Sequence, residues 1–172
     1  MRRREFIRLF GGTAITWPLA AARALANTVT IVALGASNTY GKGVARNQSY
    51  PAQLEAMLRA KGLNVRVINA GVNGDTTGGM LRRLDRAVPP GTRIVILQPG
   101  SNDARNGVAD QVEANLAAIN SRLAARGIKV IMAANSLNRA LPHQPDGQHL
   151  TPEGYRMLAE ALLPQVEGAL LP

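Results

Sequence analysis

The chain has 172 residues, a formal net charge of +9, 46% hydrophobic and 3% aromatic residues, and no cysteine. That length suits one domain with a sizeable core, which must be built mainly from Leu, Val, Ile and Ala. Disulfides and thiolate metal sites are excluded, and with only His143 and His149 a histidine-rich metal centre is disfavoured, so no metal or cofactor is expected.

The first segment, MRRREFIRLFGGTAITWPLAAARALA, has a basic start, an apolar middle and a small-residue end. This pattern is that of a secretory signal and not of a membrane span. Arg3, Arg4, Phe6 and Arg8 resemble a twin-arginine export motif, and Ala24-Leu25-Ala26 fits a small-x-small cleavage site. Residues 1–26 are therefore expected to be a signal peptide and residues 27–172 the folded domain, exported to the periplasm or beyond. An uncleaved anchor or a basic amphipathic helix is the alternative. Without residues 1–26 the balance is 15 basic to 10 acidic residues, or +5. The basic cluster of Arg82, Arg83 and Arg86 is read as a solvated helix face. No aromatic residues interleave the charge, so nucleic acid is not the expected partner.

Downstream, apolar β-branched runs alternate with helical patterns. Val29–Leu34 is the first predicted strand. A helix follows over about Ser49–Lys61, with Ser49 as cap, Pro51 in the first turn, Leu54, Met57 and Leu58 on one stripe and Gly62 as terminator. Val65–Asn69 is the second strand, and a helix over Thr76–Val88 is stopped by Pro89-Pro90-Gly91. Arg93–Leu97 is the third strand, followed by a helix over about Val108–Arg126 that ends at Gly127. Ile128–Met132 is the fourth. The last helix starts at Thr151-Pro152, and Pro164 is expected to kink or end it. Strands this continuously apolar belong to a parallel sheet covered on both faces. The fold class is α/β, a three-layer α/β/α sandwich on a short sheet of about four strands.

Ligands of such sheets bind outside the carboxyl ends of the strands. The segments there are Gly35-Ala36-Ser37-Asn38-Thr39-Tyr40-Gly41 after the first strand, Ala70-Gly71-Val72-Asn73-Gly74-Asp75-Thr76 after the second and Gly100-Ser101-Asn102-Asp103 after the third. Asp146-Gly147-Gln148-His149 precedes the last helix. These residues suit acyl transfer. A serine hydroxyl needs a neighbouring imidazole to take its proton, and the imidazole needs an acceptor that fixes its tautomer. Ser37, His149 and Asp146 fill those roles, and Asp146 lies at turn spacing from His149. Oxyanion donors are expected from Ser37 N–H, Gly71 N–H and the Asn102 side chain. Asp75 and Asp103 are read as structural. His143 is the rival base, expected to face solvent. Each residue alone has a plainer reading, Ser37 as a turn serine and His149 as a loop histidine bonded to Asp146.

GASNTYG, NAGVNGDTT, GSND and DGQHLTPEGY resemble, in order, the four blocks of the SGNH (GDSL-like) hydrolases, nearest to the small bacterial esterases of the thioesterase/lysophospholipase type. The resemblance covers residues 27–172 almost entirely. It implies a flavodoxin-like sandwich and metal-free hydrolysis of acyl esters or thioesters. Small-molecule, lipid or acetylated carbohydrate esters are the candidate substrates, and oligomeric state is left open. Two departures stand out. Ala36 replaces the acid of the usual Gly-Asp-Ser, and only residues 133–145 separate the fourth strand from the Asp-His block. The second predicts a sheet without a fifth strand and a shallow site, or one completed by a neighbouring subunit. A non-catalytic binding module on the same fold is the rival reading.

Overall fold

A computed structural model describes residues 28–171. The expected signal segment, residues 1–26, lies outside the described residues. Four strands form one parallel sheet: β1 (Val29–Gly35), β2 (Val65–Gly71), β3 (Thr92–Gln98) and β4 (Lys129–Met132), in the order β2-β1-β3-β4. This is the flavodoxin-like order ending at its fourth strand. The direction of strand addition reverses between β1 and β3, which makes the crevice between their carboxyl ends the topological switch point.

Alternating side chains of the strands sort the core into two layers, because successive residues of a strand face opposite sides. On one face Ile31, Ala33, Ile94 and Ile96 meet Leu54 and Leu58 of α2 (Tyr50–Ala60) and Leu158, Leu162 and Val166 of α8 (Pro152–Leu170). On the other, Val32, Leu34, Val95 and Leu97 meet Met80 of α3 (Thr77–Arg82), Leu84 of α4 (Leu84–Ala87) and Ile119 and Leu123 of α6 (Val112–Ala125). The remaining helices are single turns at the carboxyl edge: α1 (Ser37–Tyr40), α5 (Asn102–Arg105) and α7 (Asn135–Asn138).

Several expectations are refined. The helix expected over Thr76–Val88 is broken at Arg83 into α3 and α4. The one expected from Val108 begins with a 3₁₀ turn, Ala109–Gln111, before α6. Ser49 stands at the N-cap of α2, but its hydroxyl donates backwards to Arg46 O at 2.9 Å instead of capping the helix. Thr151 does cap α8, accepting from Gly154 N–H at 3.1 Å.

Pro164, expected to kink or end α8, does not end it, and the helix runs on to Leu170. Pro164 is exposed, whereas Leu162 and Val166 on either side are fully buried. Beyond it, Lys61 pairs with Glu167 at 2.9 Å, and Lys129 Nζ and Arg93 Nη2 donate to the terminal carbonyls of Ala169 and Leu170. Burial of the apolar stripe and this capping offset the hydrogen bond that proline removes. Among the described residues no helix is long and apolar enough to cross a membrane.

Candidate active site

The turn after β1 brings Ser37 to the start of α1, half-buried at the switch point. The loop before α8 brings His149 to meet it. His149 Nε2 lies 3.0 Å from Ser37 Oγ, and its Nδ1 lies 2.5 Å from Asp146 Oδ2. With Nδ1–H donated to the carboxylate, Nε2 is left to accept the serine proton. His149 is 6% exposed, and both of its ring nitrogens have a partner.

The Asp146 carboxylate is built into a turn. Its Oδ1 accepts the backbone N–H of Gln148 at 2.9 Å and of His149 at 3.0 Å, and Gly147 between them has φ +65°. The hydrogen bond from the His149 ring, then those backbone donors, hold the Asp146 carboxyl well below the usual carboxylate range. Asn38, next to Ser37, ties this loop to α1. Its amide donates to Gln148 O at 3.3 Å, and its Oδ1 accepts from Tyr155 Oη at 3.1 Å. Burial raises the Tyr155 phenol to about 12, so this hydroxyl remains a donor.

Asn102 opens α5 at the end of β3. Its Nδ2 donates to Asp75 O at 2.8 Å and its Oδ1 accepts from Arg105 at 3.3 Å, which leaves one amide hydrogen for the cleft. Asp103 is structural, as expected: its buried carboxylate takes Thr77 N–H and the Thr77 hydroxyl, the latter at 2.6 Å. Asp75 is structural too, pairing with Arg83 at 2.7 Å.

Gly71 is not placed as expected. Its N–H donates to Asn69 Oδ1 at 2.9 Å, and a Cβ there would lie 2.1 Å from Tyr40 N. Glycine is thus needed at 71 for close packing under α1. Three residues on, Gly74 has φ +75° and an N–H that meets no acceptor among the described residues, beside the Asp75 carbonyl that Asn102 holds. Sequence reasoning passed over it because both glycines lie in one loop, and residue type alone does not tell which amide is committed.

Arg83 corrects the reading of its cluster as solvated. Arg82 and Arg86 are exposed, but the Arg83 side chain is only 13% exposed, held by Asp75 and donating through Nη2 to Gly35 O at 3.1 Å. The break between α3 and α4 turns it inward. Ala36, where an acid is usual, is buried in the apolar layer with Leu34 and Leu84. His143 is half-buried on the wall of the cleft, less exposed than expected, and makes no side-chain hydrogen bond among the described residues. The 133–145 stretch forms α7 and a bridge from His143 to Leu150 in place of a fifth strand. Among the described residues no group of three or more His, Cys, Asp or Glu comes together to hold a metal.

A serine, histidine and aspartate in hydrogen-bonded series at the switch point of an α/β sheet define a hydrolase of the serine type in geometry. The comparisons agree. The GDSL-like Lipase/Acylhydrolase family model matches residues 33–162, so this chain belongs to that family of ester hydrolases. Esterase TesA of Pseudomonas aeruginosa is 30% identical over 145 residues, 83% of this chain and 69% of that protein. An arylesterase of Vibrio mimicus is 33% identical over 104 residues, 59% of this chain, and the match spans about half of that relative, 52%. Among solved structures, the SGNH-hydrolase family esterase AlinE4 is 28% identical with a TM-score of 0.59, over 84% of this chain and 98% of its own. The crystal structure of TesA superimposes with a TM-score of 0.74 at 24% identity, covering 82% of this chain and 99% of that one, which is a likeness of fold.

Proposed function

We propose that the protein is a serine esterase in which Ser37 is the nucleophile, His149 the general base and acid, and Asp146 the residue that orients His149. In this reading Ser37 Oγ bonds to the carbonyl carbon of an acyl ester or thioester while its proton passes to His149 Nε2. The tetrahedral oxyanion is met by Ser37 N–H, the free amide hydrogen of Asn102 and, in place of Gly71, the N–H of Gly74. Collapse expels the alcohol or thiol, which takes the proton from His149. Water, deprotonated by the same nitrogen, then cleaves the acyl-enzyme and restores Ser37. Each oxyanion donor is worth roughly 3–4 kcal/mol of the barrier.

The observation that carries this reading is the Ser37–His149–Asp146 series, at 3.0 and 2.5 Å. Its test is hydrolysis of 4-nitrophenyl esters from acetate to palmitate by the protein and by Ser37→Ala, with phosphonate labelling of Ser37. Turnover abolished by the substitution supports the assignment. Turnover that persists in Ser37→Ala refutes the role of Ser37, and a folded protein with neither turnover nor labelling refutes the esterase and leaves a binding module. Export is proposed on the Arg3-Arg4 and Ala24–Ala26 motifs; recovery of the intact chain from the cytoplasm alone would overturn it.

A further inference from the structure

Beside Ser37 lies a cleft of about 360 Å³, reaching from the Ser37–Asn102 end to α7. Its walls are poor in apolar groups, the largest being Ala36 and Pro99. Apolar ligands are held by aliphatic and aromatic linings, which this cleft lacks. A long acyl chain would gain little here, and only a small acyl group suits the Ser37–Asn102 end. The rest of the cleft is left to the alcohol portion.

That remaining part is cationic. No aspartate or glutamate lines the cleft, while Arg105 and Arg139 do. Arg105 is anchored by neutral groups only, donating to Ser101 Oγ at 2.7 Å and to Asn102 Oδ1 at 3.3 Å. Arg139, at the end of α7, has no side-chain partner among the described residues. Of the other titratable groups nearby, His143 and His149 line the cleft, and Asp146 stands behind His149, its charge engaged by the ring and two backbone amides. Two guanidinium groups facing a polar cleft without a carboxylate are a site for an anion.

Resting on the Ser37 assignment, we infer that the preferred substrates are short-chain acyl esters whose alcohol portion carries an anionic group, which Arg139 pairs with across the cleft. Arg105 adds to the field and holds the Asn102 amide in place. The shared chemistry is a carboxylate, sulfate or phosphate on the alcohol.

The test compares 4-acetoxybenzoate with its neutral methyl ester, in the full protein, Arg139→Gln and Arg139→Lys. Intrinsic leaving-group differences are the same for every variant, so the readout is the change in the anionic-to-neutral ratio of kcat/KM. The ratio should fall about fivefold in Arg139→Gln, as expected for loss of one solvent-accessible ion pair. It should recover in Arg139→Lys, and the wild-type ratio should drop at high salt. A ratio that ignores both the substitution and salt overturns the inference. So does a protein that phosphonate labels at Ser37 but that leaves the anionic ester intact. Failure of both esters together with absent Ser37 labelling refutes instead the assignment on which the inference rests.

Discussion

Replacing Arg83 by Met tests whether the site is held from beneath. Arg83 and Asp75 are paired at 2.7 Å with side chains 13% and 10% exposed, and Arg83 also donates to Gly35 O at 3.1 Å. The Asp75 carbonyl in turn receives the Asn102 amide at 2.8 Å. One guanidinium thus joins the strand end that carries Ser37 to the loop that positions Asn102. Methionine keeps most of the volume but leaves a largely buried carboxylate uncompensated and removes one of the two donors to the Gly35 carbonyl, the other being Val72 N–H at 3.1 Å. Breaking a buried pair from one side costs about 3–5 kcal/mol, an exposed one at most about 1 kcal/mol. With this much burial, about 3 kcal/mol is expected in urea unfolding. The double variant Arg83→Met/Asp75→Asn should cost less than the sum of the single ones, because it removes the charge that the first strands. In ester hydrolysis kcat should fall more than KM rises, since Ser37 and Asn102 lose their mutual register while the cleft wall is untouched. A loss of stability under about 0.5 kcal/mol with unchanged kcat would show that the pair behaves as a solvated one and would refute the clamp.

Other outcomes follow from the same geometry. Asp146→Asn should lower kcat by about 10⁴, as loss of the orienting carboxylate does in serine triads, without unfolding the protein. Because the folded Asp146 pKa is depressed, its contribution to stability is complete above the unfolded value of about 3.9 and is lost as pH falls below it. The Tm difference between wild type and Asp146→Asn should therefore be present at neutral pH and shrink in acid. Tyr155→Phe removes the donor to Asn38 and should cost about 1 kcal/mol in stability and several-fold in kcat, read by denaturation and by initial rates. Gly71→Ala should abolish folding, since its Cβ would sit 2.1 Å from Tyr40 N. Gly74→Ala, with φ +75° but open space around it, should cost only about 1–2 kcal/mol; equal losses in circular-dichroism melts would contradict this. Pro164→Ala, on the exposed face of α8, should raise Tm by restoring a helix hydrogen bond, and no gain would mean that the turn has already relaxed around proline.

The sheet was legible because each strand carries a short apolar run rich in Val and Ile, and the two central strands, β1 and β3, are buried on both faces over most of their length, which leaves little choice of element. The hydrogen-bonded Ser37–His149–Asp146 series was legible because Asp146 and His149 lie within one turn and Ser37 follows a strand directly. What was hidden depends on direction and not on residue type. The single-turn helices α1, α5 and α7 span four residues each, too short for any period of 3.6 to register. Gly71 and Gly74 look alike in sequence, and only the path of the loop commits one N–H to Asn69 and leaves the other free. Arg82, Arg83 and Arg86 read as one basic face because charge gives no hint of burial. Only the break at Arg83 separates the inward arginine from its exposed neighbours.

That break also bears on Ala36. A carboxylate at 36 would have to be satisfied where the structure has an apolar layer, because Ala36 packs with Leu34, Met80 and Leu84 and faces Gly100, where an added Cβ would be 3.5 Å from its own. Arg83 supports the same turn from the backbone side, through the carbonyl of Gly35 immediately before it. The support lies in a different segment of chain, contributed by the α3–α4 break, and it leaves position 36 to apolar packing. The alignment of Ser37 with His149 then depends on backbone held from below by Arg83 and on Asn38 held from the side by Gln148 and Tyr155. Neither tie needs an acidic residue next to the serine. An active Ala36 protein is thus the physical expectation, and an Asp placed at 36 would bring a charge into a layer already closed around apolar side chains.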